Sequence, residues 1–235
     1  MLPMNADSLT QPRPRLRGSR GFTLVEVMVV TAIVGLAVAG TISLVRHAIE
    51  TNAYDAGRVQ VNNDMLKLTN GMATDAVYAN YFIIYPNFST RSVTSGSGSS
   101  AVTADDEVTD GSSGDMVVLV SVTTNVTTGV TAATQLVGYY RDSSQSTVAG
   151  PVRRFSVSIS PASSSPIYQL LNTYAPVGSD SSNPIVIPLA LGEANGTLFY
   201  NYFNRSIMLK SQIEEPGNLY QGAQCTYNFT VSPRG

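Results

Sequence analysis

Hydrophobic and polar positions divide the chain into stretches of different period. From Phe22 to Val45 the sequence FTLVEVMVVTAIVGLAVAGTISLV holds a single ionisable side chain, Glu26. A helix of that length reaches about 36 Å, enough to cross a hydrocarbon layer of about 30 Å. No proline follows until Pro86, and Val61, Met65, Leu68, Met72 and Ala76 recur at spacings of four, three, four and four, one apolar stripe on a helix. Together these stretches predict one continuous helix over 22–78, apolar on all sides over 22–45 and packed on a globular head beyond. Gly35, Gly40, Gly57 and Gly71 are its weak points, where a bend or local unwinding is expected, since an interior glycine costs about 1 kcal/mol. The methionines of the stripe read as core.

Past residue 80 the period becomes strand-like. Short runs rich in Val, Ile, Tyr, Phe and Thr occupy 81–85, 116–123, 135–141, 152–160, 185–189, 197–203, 206–210 and 225–231. Alternation is clearest in Phe155-Ser156-Val157-Ser158-Ile159 and Tyr227-Asn228-Phe229-Thr230-Val231, the pattern of strands with one face in a core. The fold class expected is α+β: a long amino-terminal helix packed on an antiparallel β-sheet head. Ser, Thr and Gly make up more than half of the stretch from Ser89 to Asp115, so that segment reads as an exposed loop, as do Pro161–Pro166 and Gly178–Pro184.

Charge refines the picture at the amino terminus. Arg13, Arg15, Arg17 and Arg20 against Asp7 give the segment before Phe22 a net charge of +3, leaving −5 on the remainder. A basic leader before an apolar run predicts an amino terminus facing the cytoplasm and export of the rest. The whole chain has net charge −2, which argues against nucleic acid as a partner. One cysteine, Cys225, rules out an internal disulfide, and one histidine, His47, makes a catalytic triad or a histidine metal site improbable. His47 falls where the helix would leave a membrane, a surface or headgroup position, and Cys225 reads as a small buried apolar residue in a strand. No phosphate-binding loop of the GxxxxGK[ST] type is present, no cofactor is expected, and no constellation points to an enzyme. Asp105, Asp106, Glu107, Asp110 and Asp115 are close enough in sequence to suggest calcium, but their spacing matches no EF-hand and a solvated acidic loop is the plainer reading.

Glu26 is the anomaly. A carboxylate inside such a segment costs roughly 2.5–3.5 kcal/mol on insertion scales, and no Lys, Arg or His in the segment offers a partner. An ordinary signal peptide cut after Ala37-Val38-Ala39, before Gly40, would fit the basic and apolar regions but gives no reason for the acid. The run Arg20-Gly21-Phe22-Thr23-Leu24-Val25-Glu26 resembles the processing motif of type IV pilins and type II secretion pseudopilins. The resemblance implies that a membrane-bound prepilin peptidase cuts between Gly21 and Phe22 and methylates the new amine of Phe22. It implies too that Glu26 assists assembly, the amine of a neighbouring subunit's Phe22 supplying its missing cation.

On that resemblance, 1–21 is a leader, 22–78 the helix with 22–45 in the membrane or the filament core, and 79–235 a periplasmic or extracellular β-rich head. The partners implied are other pilin or pseudopilin subunits, the peptidase, an inner-membrane assembly platform and membrane lipid, with the precursor a single-pass inner-membrane protein. The long stretch left after Gly21, the lack of a helix proline, the single cysteine and the presence of Glu26 point within the family to a minor subunit similar to the J-type pseudopilin or its pilus counterpart. A binding head displayed at a filament tip, with Tyr200-Asn201-Tyr202-Phe203-Asn204 as a candidate face, is the alternative.

Overall fold

Fifty-five residues without a proline run as one helix, α1 (Leu24–Tyr78). The computed structural model describes residues 21–142, 149–194, 196–214 and 224–234; the expected leader, apart from Gly21, lies outside them. The helix starts two residues later than the periodicity suggests because Thr23 takes the capping position, its Oγ1 accepting the Glu26 N–H at 3.2 Å. None of the four glycines unwinds it. The chain forms two units, Met1–Ile49 and Glu50–Gly235, whose boundary falls inside α1. In the first unit every described residue is exposed. In the second, α1 buries Val61, Met65, Leu68, Met72 and Ala76, the stripe expected from the sequence, together with Asp64.

After α1 come β1 (Tyr81–Tyr85), β2 (Ser92–Ser95), β3 (Val102–Asp105), β4 (Ser113–Gly114), β5 (Met116–Thr124), β6 (Thr131–Arg141) and β7 (Ala149–Ser163). A second helix, α2 (Ile167–Tyr174), precedes β8 (Ile185–Gly192), β9 (Phe199–Tyr202), β10 (Ser206–Glu214) and β11 (Gln224–Val231). Among the described residues nine strands make one sheet in the order β1-β5-β6-β7-β8-β10-β9-β4, with β11 also on β10. Its pairings are antiparallel. The chain is α+β, as its periods predict.

Both faces of the central strands are covered. Val117 and Leu119 of β5, with Val137 and Tyr139 of β6, pack with the α1 stripe. Met116, Val118, Val120, Leu136 and Tyr140 pack on the other side with Ile167, Leu170 and Leu171 of α2. Burial on both faces explains why β5 opens as an unbroken apolar run where a half-exposed strand would alternate. A polar clamp fixes α1 to the sheet. Arg154 Nε and Nη2 donate to the two oxygens of Asp75 at 2.9 and 3.0 Å, and the Tyr139 hydroxyl donates to the same carboxylate at 2.5 Å. Gly71 is clearance rather than a bend: a Cβ there would lie 3.1 Å from the Tyr139 hydroxyl.

The Ser89–Asp115 segment, expected to be an exposed loop, is exposed over most of its length but carries strands. It holds β2 and β3, which pair with each other, and β4, which joins the main sheet. It also grips α2 at both ends. Asp105 Oδ1 accepts the Tyr168 N–H at 2.7 Å near the helix start, while Arg91 Nη1 donates to the carbonyls of Leu171 and Ala175 at its end. An anion at the amino end and a cation at the carboxyl end both suit the helix dipole. Arg91 is 2% exposed with its guanidinium 4.1 Å over the Phe88 ring, and burial lowers its pKa to about 10, so it stays charged at neutral pH. The 161–166 reading also needs correction, since β7 continues to Ser163. Cys225 is half-buried rather than buried, lining the α1 side of the core from β11.

Two measurements check this packing. Gly138 pairs across strands with Phe155, and a Cβ on it would fall 2.0 Å from the Phe155 ring. Gly138→Ala should therefore cost about 1–3 kcal/mol and lower the melting temperature by roughly 3–10 °C, read by circular dichroism. An unchanged melting curve would mean that the ring gives way freely. The second is alkaline titration. Burial first, then the neighbouring Asp105 and Asp75 carboxylates respectively, holds the Tyr85 and Tyr139 phenols above their ordinary value of 10.0; burial does the same for Tyr140. The folded state keeps protons that the unfolded chain releases, so the stability these groups confer is complete below pH 10 and lost as pH climbs above it. Tyrosinate absorbance should show these phenols ionising only together with loss of the far-ultraviolet signal. Ionisation of all 12 tyrosines near pH 10 with the fold intact would contradict the assignment.

Candidate functional site

The residues singled out at the amino terminus sit together at the mouth of α1. Gly21, Phe22 and Thr23 lead into the helix, and Phe22 is 75% exposed. Glu26 lies in the first turn, three residues after the capping threonine. Thr23-Leu24-Val25-Glu26 has the T-x-x-E spacing of a capping box, a signal present in the sequence that the apolar periodicity hides. An acid here complements the helix dipole, so part of what Glu26 does is local. Farther along, Thr31 Oγ1 donates to the Val27 and Met28 carbonyls and Thr41 Oγ1 to Ala37, which leaves no hydroxyl of these two unsatisfied in apolar surroundings.

Among the described residues nothing explains the glycine before the helix. A Cβ on Gly21 would meet no atom within 4 Å, and its φ is outside the left-handed region. The same absence of neighbours holds at Gly35 and Gly40. An 18-residue window of α1 reaches a mean hydropathy of 2.3 with none of it buried by the described chain. Such a surface suits lipid or other helices.

Residues 16–42 match the family model for the prokaryotic N-terminal methylation motif. The match covers only the amino-terminal segment and supports a type IV pilin-like or pseudopilin chain, a kind that assembles with other pilin subunits. The apolar helix is consistent with membrane anchoring. No curated protein and no solved structure matches the chain.

In the head, the acids that suggested calcium are dispersed over separate structural tasks. Asp105 accepts from Tyr85 and from the α2 backbone. Asp110 Oδ1 accepts the Phe203 N–H at 2.6 Å. Asp115, between β4 and β5, pairs with Arg141 and accepts the Leu198 N–H at 3.1 Å. Among the described residues no three His, Cys, Asp or Glu side chains are grouped to hold a metal. His47 lies exposed on α1 within the first unit. The Tyr200–Asn204 run is divided: Asn201 is 5% exposed, whereas Tyr202 and Phe203 at the β9–β10 turn are 44% and 64% exposed.

Proposed function

We propose that this chain is a minor structural subunit of a type IV pilus-like or type II secretion pseudopilus filament, made as a single-pass inner-membrane precursor with its amino terminus in the cytoplasm. In this reading 1–21 is the leader, a prepilin peptidase cuts between Gly21 and Phe22 and methylates Phe22, and an inner-membrane platform draws the 22–45 helix out of lipid into the filament core. The observation that carries it is the match over residues 16–42 together with a helix whose apolar surface the described chain leaves uncovered. Gly21 adds support, because the described residues impose no need for glycine; an enzyme that reads a small residue there supplies one. A minor rather than a main subunit, similar to the J-type pseudopilin, fits the long head. A second reading, a head displayed on such a filament to bind a ligand, is favoured by the exposed aromatic turn at Tyr202 and Phe203.

Glu26 has a role in assembly on this proposal. Away from water, its carboxylate and the terminal amine of a neighbouring subunit attract strongly and each is costly alone, so their pairing selects axial register.

Two outcomes are expected. Mass spectrometry of protein made with its peptidase should find an amino terminus at N-methylated Phe22, and a terminus at Gly40 would sink the proposal. Glu26→Gln separates the two roles of that residue, since glutamine also serves at this position of a capping box. Cleavage after Gly21 should persist while incorporation into sheared filaments falls about as far as in Glu26→Val. Incorporation of the glutamine variant at the wild-type level would show that charge is not the assembly contact.

A further inference from the structure

The turn between β9 and β10 carries a residue that its backbone disfavours. Phe203 and Asn204 have φ of 54° and 51°, and the Arg205 N–H donates to the Tyr202 carbonyl at 3.2 Å, the pattern of a type I′ turn. Glycine and asparagine suit such positions, whereas a phenylalanine there is strained. The turn is held in place from several directions. Phe203 N–H is bound by Asp110, Asn204 N–H donates to Asn201 Oδ1 at 3.1 Å, and Asn201 Nδ2 donates to the Val108 carbonyl at 3.0 Å and to Asn204 Oδ1 at 2.7 Å. All this fixes a ring that gains little from burial. Phe203 stands edge-to-face with Tyr202, centroids 4.5 Å apart at 74°, with both exposed. Strain retained at a rigid, solvent-facing aromatic points to recognition.

The surroundings define what it recognises. A depression of about 350 Å³ lined by Tyr202, Phe203, Arg205 and Ser206 adjoins a groove of about 530 Å³ that shares Arg205 and Ser206 and reaches Tyr81 and Ser232. Both volumes fall within the range of about 300–1,000 Å³ usual for small-ligand sites. Among the described residues no carboxylate lines either one. The hydroxyls of Ser206 and Ser232 are hydrogen-bonded to each other at 2.8 Å, and Asn204, which also lines the groove, uses its carbonyl oxygen to accept from Asn201. Tyr81 keeps its phenolic proton, its pKa raised by burial and then by Asp105 and Glu107.

Flat rings interleaved with hydroxyl, amide and guanidinium donors match a sugar, whose C–H face stacks on an aromatic while its hydroxyls accept and donate. A docked amphipathic helix would need a continuous apolar groove, and a stable subunit contact buries about 1,200–2,000 Å² around an apolar centre. The acids nearby at Asp105, Glu107 and Asp110 oppose a polyanion. We propose that the β9–β10 turn and its groove bind a neutral, extended polysaccharide, with Phe203 as the stacking face, Tyr202 as its flanking wall, and Arg205 and Asn204 as donors to sugar hydroxyls. This rests on the reading of the head as a displayed binding module.

The test is calorimetric titration of the full chain, solubilised in an amine-oxide detergent that has no sugar headgroup, with cellohexaose and chitohexaose. Saturable binding of at least one, with Kd of about 1 mM or tighter, is expected. Phe203→Gly relieves the turn, so the variant should melt at the same temperature or higher while affinity falls at least about tenfold; Arg205→Gln should weaken binding too. The proposal is overturned if neither oligosaccharide binds below about 10 mM, if Phe203→Gly binds as tightly as the wild type, or if only hexagalacturonate binds. Loss of filament incorporation in Phe203→Gly, with no sugar bound by the wild type, would identify the turn as a subunit contact; that would remove the sugar site and leave the filament assignment standing. Sugar binding by a chain that never enters filaments would do the reverse.

Discussion

A helix satisfies its own backbone hydrogen bonds wherever it goes, so its surroundings are chosen by its side chains. In α1 that choice changes along one unbroken element. Over 22–45 the surface is apolar on all sides and the described chain supplies nothing to cover it, whereas from Val61 onward the apolar positions narrow to a stripe that the sheet covers completely. Continuous hydrogen bonding lets the element pass between these regimes without a break. The head is arranged around the second regime, with α1 filling one side of the sheet and the small helix α2 the other.

The polar groups of the head keep that arrangement specific. Asp75, Arg154 and Tyr139 fix the angular position of α1, which a greasy stripe alone leaves poorly determined. Asp115 ties β4 and β5 to Arg141 and to the chain entering β9, almost without exposure to water. A lone buried charge costs several kcal/mol, so Asp115 and Arg141 are tolerable only in company, and both networks hold distant segments in register.

Local information made much of this legible. The span of α1, its buried stripe and the positions of the main strands follow from period and from β-branched content, signals that act within a few residues. What escaped depends on partners far along the chain. The Ser and Gly of 89–115 suggest an open loop, and nothing in the sequence reveals that Arg91 reaches forward to the end of α2 or that Asp105 meets Tyr168. Helix α2 was hidden for the same reason: with Pro166 in the cap position it has no capping side chain of its own. At the candidate site, Gly21, Phe22 and Glu26 were legible because a processing motif is contiguous by nature. The turn at Phe203 was not, because a positive φ at phenylalanine comes from Asn201 and Asp110 holding the backbone, which no propensity encodes.

The grip of Arg91 and Asp105 on α2 also sorts the head by how freely it accepts foreign sequence. The strands between them are exposed and their connection, which includes Gly96 at φ 91°, bears none of the contacts that hold α2. An epitope or fluorophore carrier spliced between Ser97 and Ala101 would ride on a hairpin whose base is fastened, whereas an insert at Arg91 or Asp105 would break the hydrogen bonds to α2. The molecule thus contains its own attachment point for labelling, on an exposed hairpin.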